Sequence, residues 1–236
     1  MTVGIIGYNF ESLEAIAPFL EVTTAGISTQ WAEGIAKELH CFVTVGYPEV
    51  TASKPTKQYN STVTVAPNGR VVANYRKSHL YYTDESWASE GEPAFFTREI
   101  SELGFVALGI CMDINPYRFV APWDKYEFAS NALAAKTPII AVSMAWVSRL
   151  SKEELMDNPK QPDISTVKYW IERFSPFLHS HSQKPTVIIC ANRCGNEGHV
   201  CYAGSSIVMS IQDGKVKVRG IVGRYEERCL VTEVEI

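Results

Sequence analysis

The sequence predicts a mixed-sheet α/β layered domain. Helical and strand-like segments alternate in the first part of the chain, hairpins dominate the last part, and apolar runs bounded by turn residues recur throughout. A length of 236 residues with 46% hydrophobic and 20% charged residues suits one domain, 1–236, able to fill a core of its own.

The elements follow in order. Residues 28–40 read as a helix, with Ser28 or Thr29 as cap and Trp31, Ile35 and Leu39 along one face. Cys41 to Tyr47 reads as a strand stopped by Pro48. Tyr59 to Ala66 and Val71 to Arg76 flank Pro67-Asn68-Gly69-Arg70, and Asn-Gly between such runs signals a hairpin. Residues 104–110 form a short apolar strand. Asp124 to Lys136 is alanine-rich and helical, with Tyr126, Ala129 or Ser130, and Leu133 facing one way. Pro138 to Ser143 is a strand. Residues 163–181 form a helix with the stripe Val167, Trp170, Ile171, Phe174 and Leu178. Strands then follow at Pro185 to Ala191, Ser205 to Ser210, Val216 to Val222 and Cys229 to Val234, with Asp213-Gly214 as a hairpin turn.

Bulk composition excludes several classes. With a net charge of −4 and no basic cluster, the chain carries no nucleic-acid footprint. No apolar run reaches the ~20 residues of a membrane span, and the first eight residues lack the basic start of a signal peptide. The six cysteines at 41, 111, 190, 194, 201 and 229 are irregularly spaced, which predicts reduced thiols in the cytoplasm or nucleus. Cys190, Cys194, His199 and Cys201 cluster, but without a matched pair of zinc-ligand spacings, so neither a metal nor a cofactor is expected.

Chemistry concentrates at Gly109-Ile110-Cys111-Met112-Asp113-Ile114-Asn115-Pro116-Tyr117. A cysteine is commonly a small buried hydrophobe. This one ends an apolar strand and meets polar residues and a proline at once, so a rigid strand would project the thiol into a loop. Lys77 ends another strand. A cation beside a thiol favours the thiolate, and an ammonium can hold a developing oxyanion. His79 is a candidate base without an identifiable orienting acid. Glu90 lies in a loop before a glycine, and Glu92 reads as a plain surface carboxylate.

These blocks, Tyr75-Arg76-Lys77-Ser78-His79-Leu80, Trp87-Ala88-Ser89-Glu90-Gly91 and Gly109 to Asp113, resemble in order and spacing those of the nitrilase superfamily of carbon–nitrogen hydrolases. The resemblance implies an α-β-β-α sandwich with two mixed sheets. It implies Cys111 as the nucleophile on a carboxamide, Lys77 and the Met112 backbone N–H as oxyanion donors, and Glu90 as a glutamate orienting Lys77 or the base.

Finer wording is similar to a subgroup that deamidates N-terminal asparagine and glutamine of proteins and feeds the N-degron pathway. That wording stands at Ile6 to Phe10, Gly26 to Glu33, Cys111 to Tyr117, Ser143 to Trp146, Asn192 to Gly198 and Tyr202 to Ser206. The implied partners are proteins or peptides beginning with Asn or Gln, and a homodimer. Asp113 or Glu127 would read the free α-amine, Tyr117 and Trp146 would wall the pocket, and Asp113 serves equally well as a loop cap. Counting back from Ile6-Gly7-Tyr8 places the family's proton-carrying glutamate at or near Thr2 and its proline ahead of Met1. The chain is therefore expected to lack the first strand–helix–strand and its general base, with Glu11 and Glu14 as ordinary residues of a helix start. Two alternatives stand beside this reading: a truncated homologue that acts by binding, and an amidase of small free amides.

Overall fold

The computed structural model describes residues 9–100 and 102–235. The chain divides into two compact units, the first ending at Phe95 and the second running from Phe96 onward.

The first unit holds α1 (Leu13–Ile16), β1 (Glu21–Val22), α2 (Ile27–Leu39), β2 (Val43–Val50), β3 (Gln58–Val65) and β4 (Val71–Arg76). Its four strands lie in the order β1-β2-β3-β4, with β1 parallel to β2 and the other pairs antiparallel. Glu11 and Glu14 flank a helix start capped by Ser12, as expected. α2 is not capped by Ser28 or Thr29, both buried within its first turn. Instead Glu21, seven residues upstream on β1, accepts from the Ser28 N–H at 2.9 Å and the Ser28 hydroxyl at 2.6 Å. This remote carboxylate satisfies an N-terminal donor and favours the positive end of the helix. The buried face of α2 is Ala32 and Ala36, whose small side chains let the helix close onto Val43, Val45, Val63 and Val65, flanked by Trp31 and Ile35. Leu39, expected on that face, is exposed.

Pro48 does not stop β2. It sits opposite Asn60, whose carbonyl accepts from Lys77 N–H at 2.8 Å. The polar groups of Asn60 thus face away from β2, and Pro48 occupies a pair that needs no donor. The β3–β4 hairpin forms as predicted, with Gly69 at φ 81° supplying the left-handed residue of its turn.

The second unit contains β5 (Phe96–Ile100), β6 (Gly104–Ile110), α3 (Glu127–Ala134), β7 (Ile139–Met144), α4 (Lys152–Asp157), α5 (Ile164–Arg173), α6 (Ser175–Leu178), β8 (Thr186–Asn192), β9 (Asn196–Glu197), β10 (Val200–Cys201), β11 (Ile207–Gln212) and β12 (Lys215–Ile221). Six strands form a sheet in the order β12-β11-β8-β7-β6-β5, parallel only across β6-β7-β8. Both sheets are therefore mixed, as predicted. β9 and β10 pair as a small ribbon.

Three predicted elements are corrected. The 163–181 helix breaks at Phe174 into α5 and α6, where Pro176 cannot continue the hydrogen-bond ladder. Residues 124–126 belong to a separate turn before α3. Cys229 to Val234 is not a strand, although the Thr232 hydroxyl reaches the Arg219 carbonyl of β12. Asp213 and Gly214 both take positive φ in the β11–β12 turn, the backbone that two-residue hairpins require. Among the described residues, no helix is long and apolar enough to cross a membrane.

Candidate active site

The sheet register builds the Cys111 end of the second unit. Ile110 stands opposite Ser143, and Ser143 opposite Ala191, so the parallel strands β6, β7 and β8 end level with one another. Carboxyl ends of parallel strands are where α/β sheets place ligands.

Cys111 is the first residue after β6. It opens a tight turn, Cys111–Ile114, is 9% exposed and has φ 42°. A non-glycine residue at positive φ costs about 1–3 kcal/mol and persists only where its surroundings hold it. Here they do. Asp113 accepts from Ile110 N–H at 2.7 Å across the turn. From α5, Arg173 donates through Nε to the Ile114 carbonyl at 2.7 Å, and Tyr169 donates to Asn115 at 2.5 Å. Arg173 is itself clamped between the rings of Trp123 and Tyr126, at 4.5 and 4.6 Å. Gly109 lets this packing close, since a Cβ there would fall 2.8 Å from the Phe128 ring of α3. The Met112 N–H lies in the first turn of a 3₁₀ element, whose leading N–H groups have no acceptor within the turn.

Asp113 is fully buried and does the work of the loop cap. Glu127 accepts from Tyr117 N–H at 3.2 Å, tying α3 to the stretch after the cysteine turn. Trp146 follows β7, its N–H held by Asn192 at 2.7 Å and its ring edge-on to Trp170 at 5.9 Å and tilted on Tyr169 at 5.4 Å. Trp146 and Tyr117 are both half-buried.

In the first unit, Lys77 is 0% exposed and salt-bridges Asp84 at 2.5 Å. Asp84 also accepts from Asn60 at 3.0 Å and from Tyr81 N–H at 2.9 Å. Sequence reasoning missed Asp84. The available signal was an acid seven residues after a strand-end lysine, with turn-prone residues between. Glu90, expected to orient Lys77, is exposed, while the N–H of the next residue, Gly91, donates to the Lys77 carbonyl at 2.8 Å. A Cβ on Gly91 would lie 2.2 Å from the Arg76 carbonyl oxygen, which explains the glycine after Glu90. His79 is buried edge-on against Phe95, 5.1 Å between ring centres. Thr2 and the Ile6-Gly7-Tyr8 turn lie outside the described residues.

Cys190 is fully buried, and burial pushes its thiol up to about 12. That makes it an inert core residue. Among the described residues, no three His, Cys, Asp or Glu side chains gather to hold a metal ion.

A family model described as carbon-nitrogen hydrolase matches residues 3–120. The protein N-terminal amidase of Schizosaccharomyces pombe is 35% identical over 245 residues, covering 98% of this chain and 84% of its own length. A crystal structure of N-terminal amidase with Asn-Glu-Ala peptide matches with TM-score 0.80 at 23% identity, over 93% of this chain and 84% of that one. Another, with Gln-Val peptide, matches with TM-score 0.80 at 22% identity over the same shares. The fold is thus that of the nitrilase-like α/β structures.

Proposed function

Because this chain belongs to the carbon-nitrogen hydrolase family, we propose that it removes the side-chain amide nitrogen of an N-terminal Asn or Gln, leaving Asp or Glu. The supporting observation is the 35% identity to an N-terminal amidase across 98% of the chain. The strained, doubly braced cysteine at the end of β6 suits it. An amide is a poor electrophile, and a covalent intermediate divides its barrier into two smaller ones.

In this reading the Cys111 thiolate attacks the carboxamide carbon. Lys77 and the Met112 N–H offset the oxyanion, and Asp84 holds Lys77 in place. The carbon–nitrogen bond breaks, ammonia leaves with a proton, and water hydrolyses the thioester. Trp146 and Tyr117 wall the substrate, and Glu127 supports the loop that carries Tyr117. The proposed partners are proteins and peptides beginning with Asn or Gln, handled without nucleic acid or membrane. The proposed setting is the N-degron pathway in the cytoplasm or nucleus, and the proposed assembly is a homodimer.

The test is an Asn-initiated peptide incubated with purified protein, followed by ammonia release and a gain of about one dalton in the peptide. Wild type is expected to turn it over, and Cys111→Ala to lose about 10⁴-fold or more while remaining folded. Turnover by Cys111→Ala, or none by wild type, defeats the proposal.

A further inference from the structure

Four aromatic rings run outward from the core next to the Cys111 turn. Trp170 of α5 is 0% exposed and meets Trp146 edge-on at 5.9 Å. Trp146 tilts on Tyr169 at 5.4 Å, and Tyr169 meets Trp123 edge-on at 5.5 Å. Among the described residues Trp123 and Trp146 make no ring contact with each other, so the rings form a row and not a triangle. Exposure rises along it: Trp146 and Tyr169 are half-buried, and Trp123 is 43% exposed.

The row is tied to Cys111 at two points. Tyr169 donates to the side chain of Asn115, whose own N–H closes the Cys111–Ile114 turn on the Met112 carbonyl at 2.9 Å. Trp146 lies two residues past Met144, the last residue of β7, and the preceding Ser143 is the partner of Ile110. The rings are also fixed before any ligand arrives. Arg173, bonded to the Ile114 and Trp123 carbonyls, stands over the Trp123 ring at 4.5 Å. Rings already held in place offer apolar area without the entropy cost of ordering it. Of the exposed charges that act on Tyr169, Arg149 is positive and Glu172 negative, so no single sign of charge selects a passing side chain.

We propose that Tyr169 and Trp123 are specificity-determining residues: they form the subsite for the third residue of the substrate peptide and select a large apolar or aromatic side chain there. The inference rests on the function proposed above, in which Trp146 walls the N-terminal residue, and adds a sequence preference to it. An extended peptide advances about 3.3 Å per residue and turns alternate side chains to opposite faces. Its first and third side chains therefore share a face about 6.6 Å apart, and the second points away. From Trp146 that reach passes Tyr169 toward Trp123. A leucine or phenylalanine at the third position covers the two rings, whereas a serine leaves them in water. These rings do not touch the reacting carbon. Their contact is the same in the ground state and the transition state, so it lowers KM and leaves kcat nearly unchanged.

The experiment measures ammonia release from Asn-Ala-X-Ala and Asn-X-Ala-Ala peptides, with X leucine, phenylalanine or serine, by wild type and Trp123→Ala. At the third position wild type is expected to favour leucine and phenylalanine over serine about tenfold in kcat/KM, chiefly through KM. At the second position the same exchange is expected to stay within about threefold. Trp123→Ala is expected to bring the third-position ratio down to about threefold or less. The ratio separates contact from structure, because damage to the Cys111 turn slows both peptides alike. The inference is overturned if wild type shows no preference at the third position, if the second position selects as strongly, or if Trp123→Ala keeps the wild-type ratio. Should Trp123→Ala not fold by circular dichroism, Trp123→Gln, which loses the ring and keeps a longer side chain, decides by the same ratio. A wild type that releases no ammonia from any peptide removes the proposed function and this inference with it, whereas an active wild type that treats all the peptides alike removes this inference alone.

Discussion

Arg76 and Lys77 are consecutive residues at the end of β4, and each meets a buried carboxylate, yet the two pairs differ in which partner is protected. In the first pair the anion is sealed. Glu49 is 0% exposed in its side chain while Arg76 is 31% exposed and stacks on Tyr59. Glu49 accepts from Thr23, Ser61, Asn74 and Arg76, so its oxygens are saturated by donors from across the sheet. In the second pair the cation is sealed as well, with Lys77 at 0% and Asp84 at 2%. A saturated carboxylate locks a sheet. A buried ammonium costs desolvation, and the return is a charge in a low-dielectric setting, where it interacts most strongly. Alternation along one strand separates the ion pair with a sealed anion from the one whose cation is sealed as well.

The most severe way to break this contrast is Lys77→Met. Amide hydrolysis is expected to fall about 10³-fold, and urea unfolding to show a loss of about 3–5 kcal/mol, because Asp84 stays buried without its cation. Adding Asp84→Leu is expected to restore stability and not activity. A double variant that regained activity would make Lys77 structural, like Arg76.

A finer measurement sets Asp84→Asn against Glu90→Gln. The first is expected to lower kcat about 10²-fold by loosening the ammonium, the second by no more than about fivefold, since Glu90 is exposed. The reverse order would return the orienting role to Glu90.

The smallest effect belongs to the sealed anion. Burial would raise Glu49, but its bonds from Arg76, Ser61, Thr23 and Asn74 outweigh burial and hold it below its ordinary value of 4.5. A carboxylate lowered in the folded state stabilises the fold above the unfolded value and loses that contribution as pH falls through the folded one. Glu49→Gln is therefore expected to cost about 1–3 kcal/mol at neutral pH, with the gap to wild type narrowing below pH 4.5 in urea titrations.

What could be read from the chain follows from how local its cause is. Asn68-Gly69 and Asp213-Gly214 fix their turns through two residues' backbone preferences, and both hairpins form where expected. Cys111 at a strand tip was equally legible, from an apolar run meeting polar residues. β5 was not, because its middle, the half-buried Thr97 and the exposed Arg98 and Glu99, is polar in a strand at the sheet's edge and leaves no apolar alternation. Pro48 misled because its tolerance depends on the side to which Asn60 turns its carbonyl. The Glu21 cap and the Asp84 bridge each join residues seven apart through a fold that neither neighbourhood encodes. Arg173 hides beside an apolar helix stripe, and only its ring clamps and carbonyl partners explain its burial.

The φ of 42° at Cys111 has a consequence for the history open to this position. Glycine is the residue that visits this region without penalty, so selection for stability alone would drift toward glycine and discard the thiol. A cysteine retained there marks a site where the molecule stays below the stability it could reach. If the demand for the thiol were relaxed, the cysteine would be the first of these residues to go, while the clamps of α5 outlasted it.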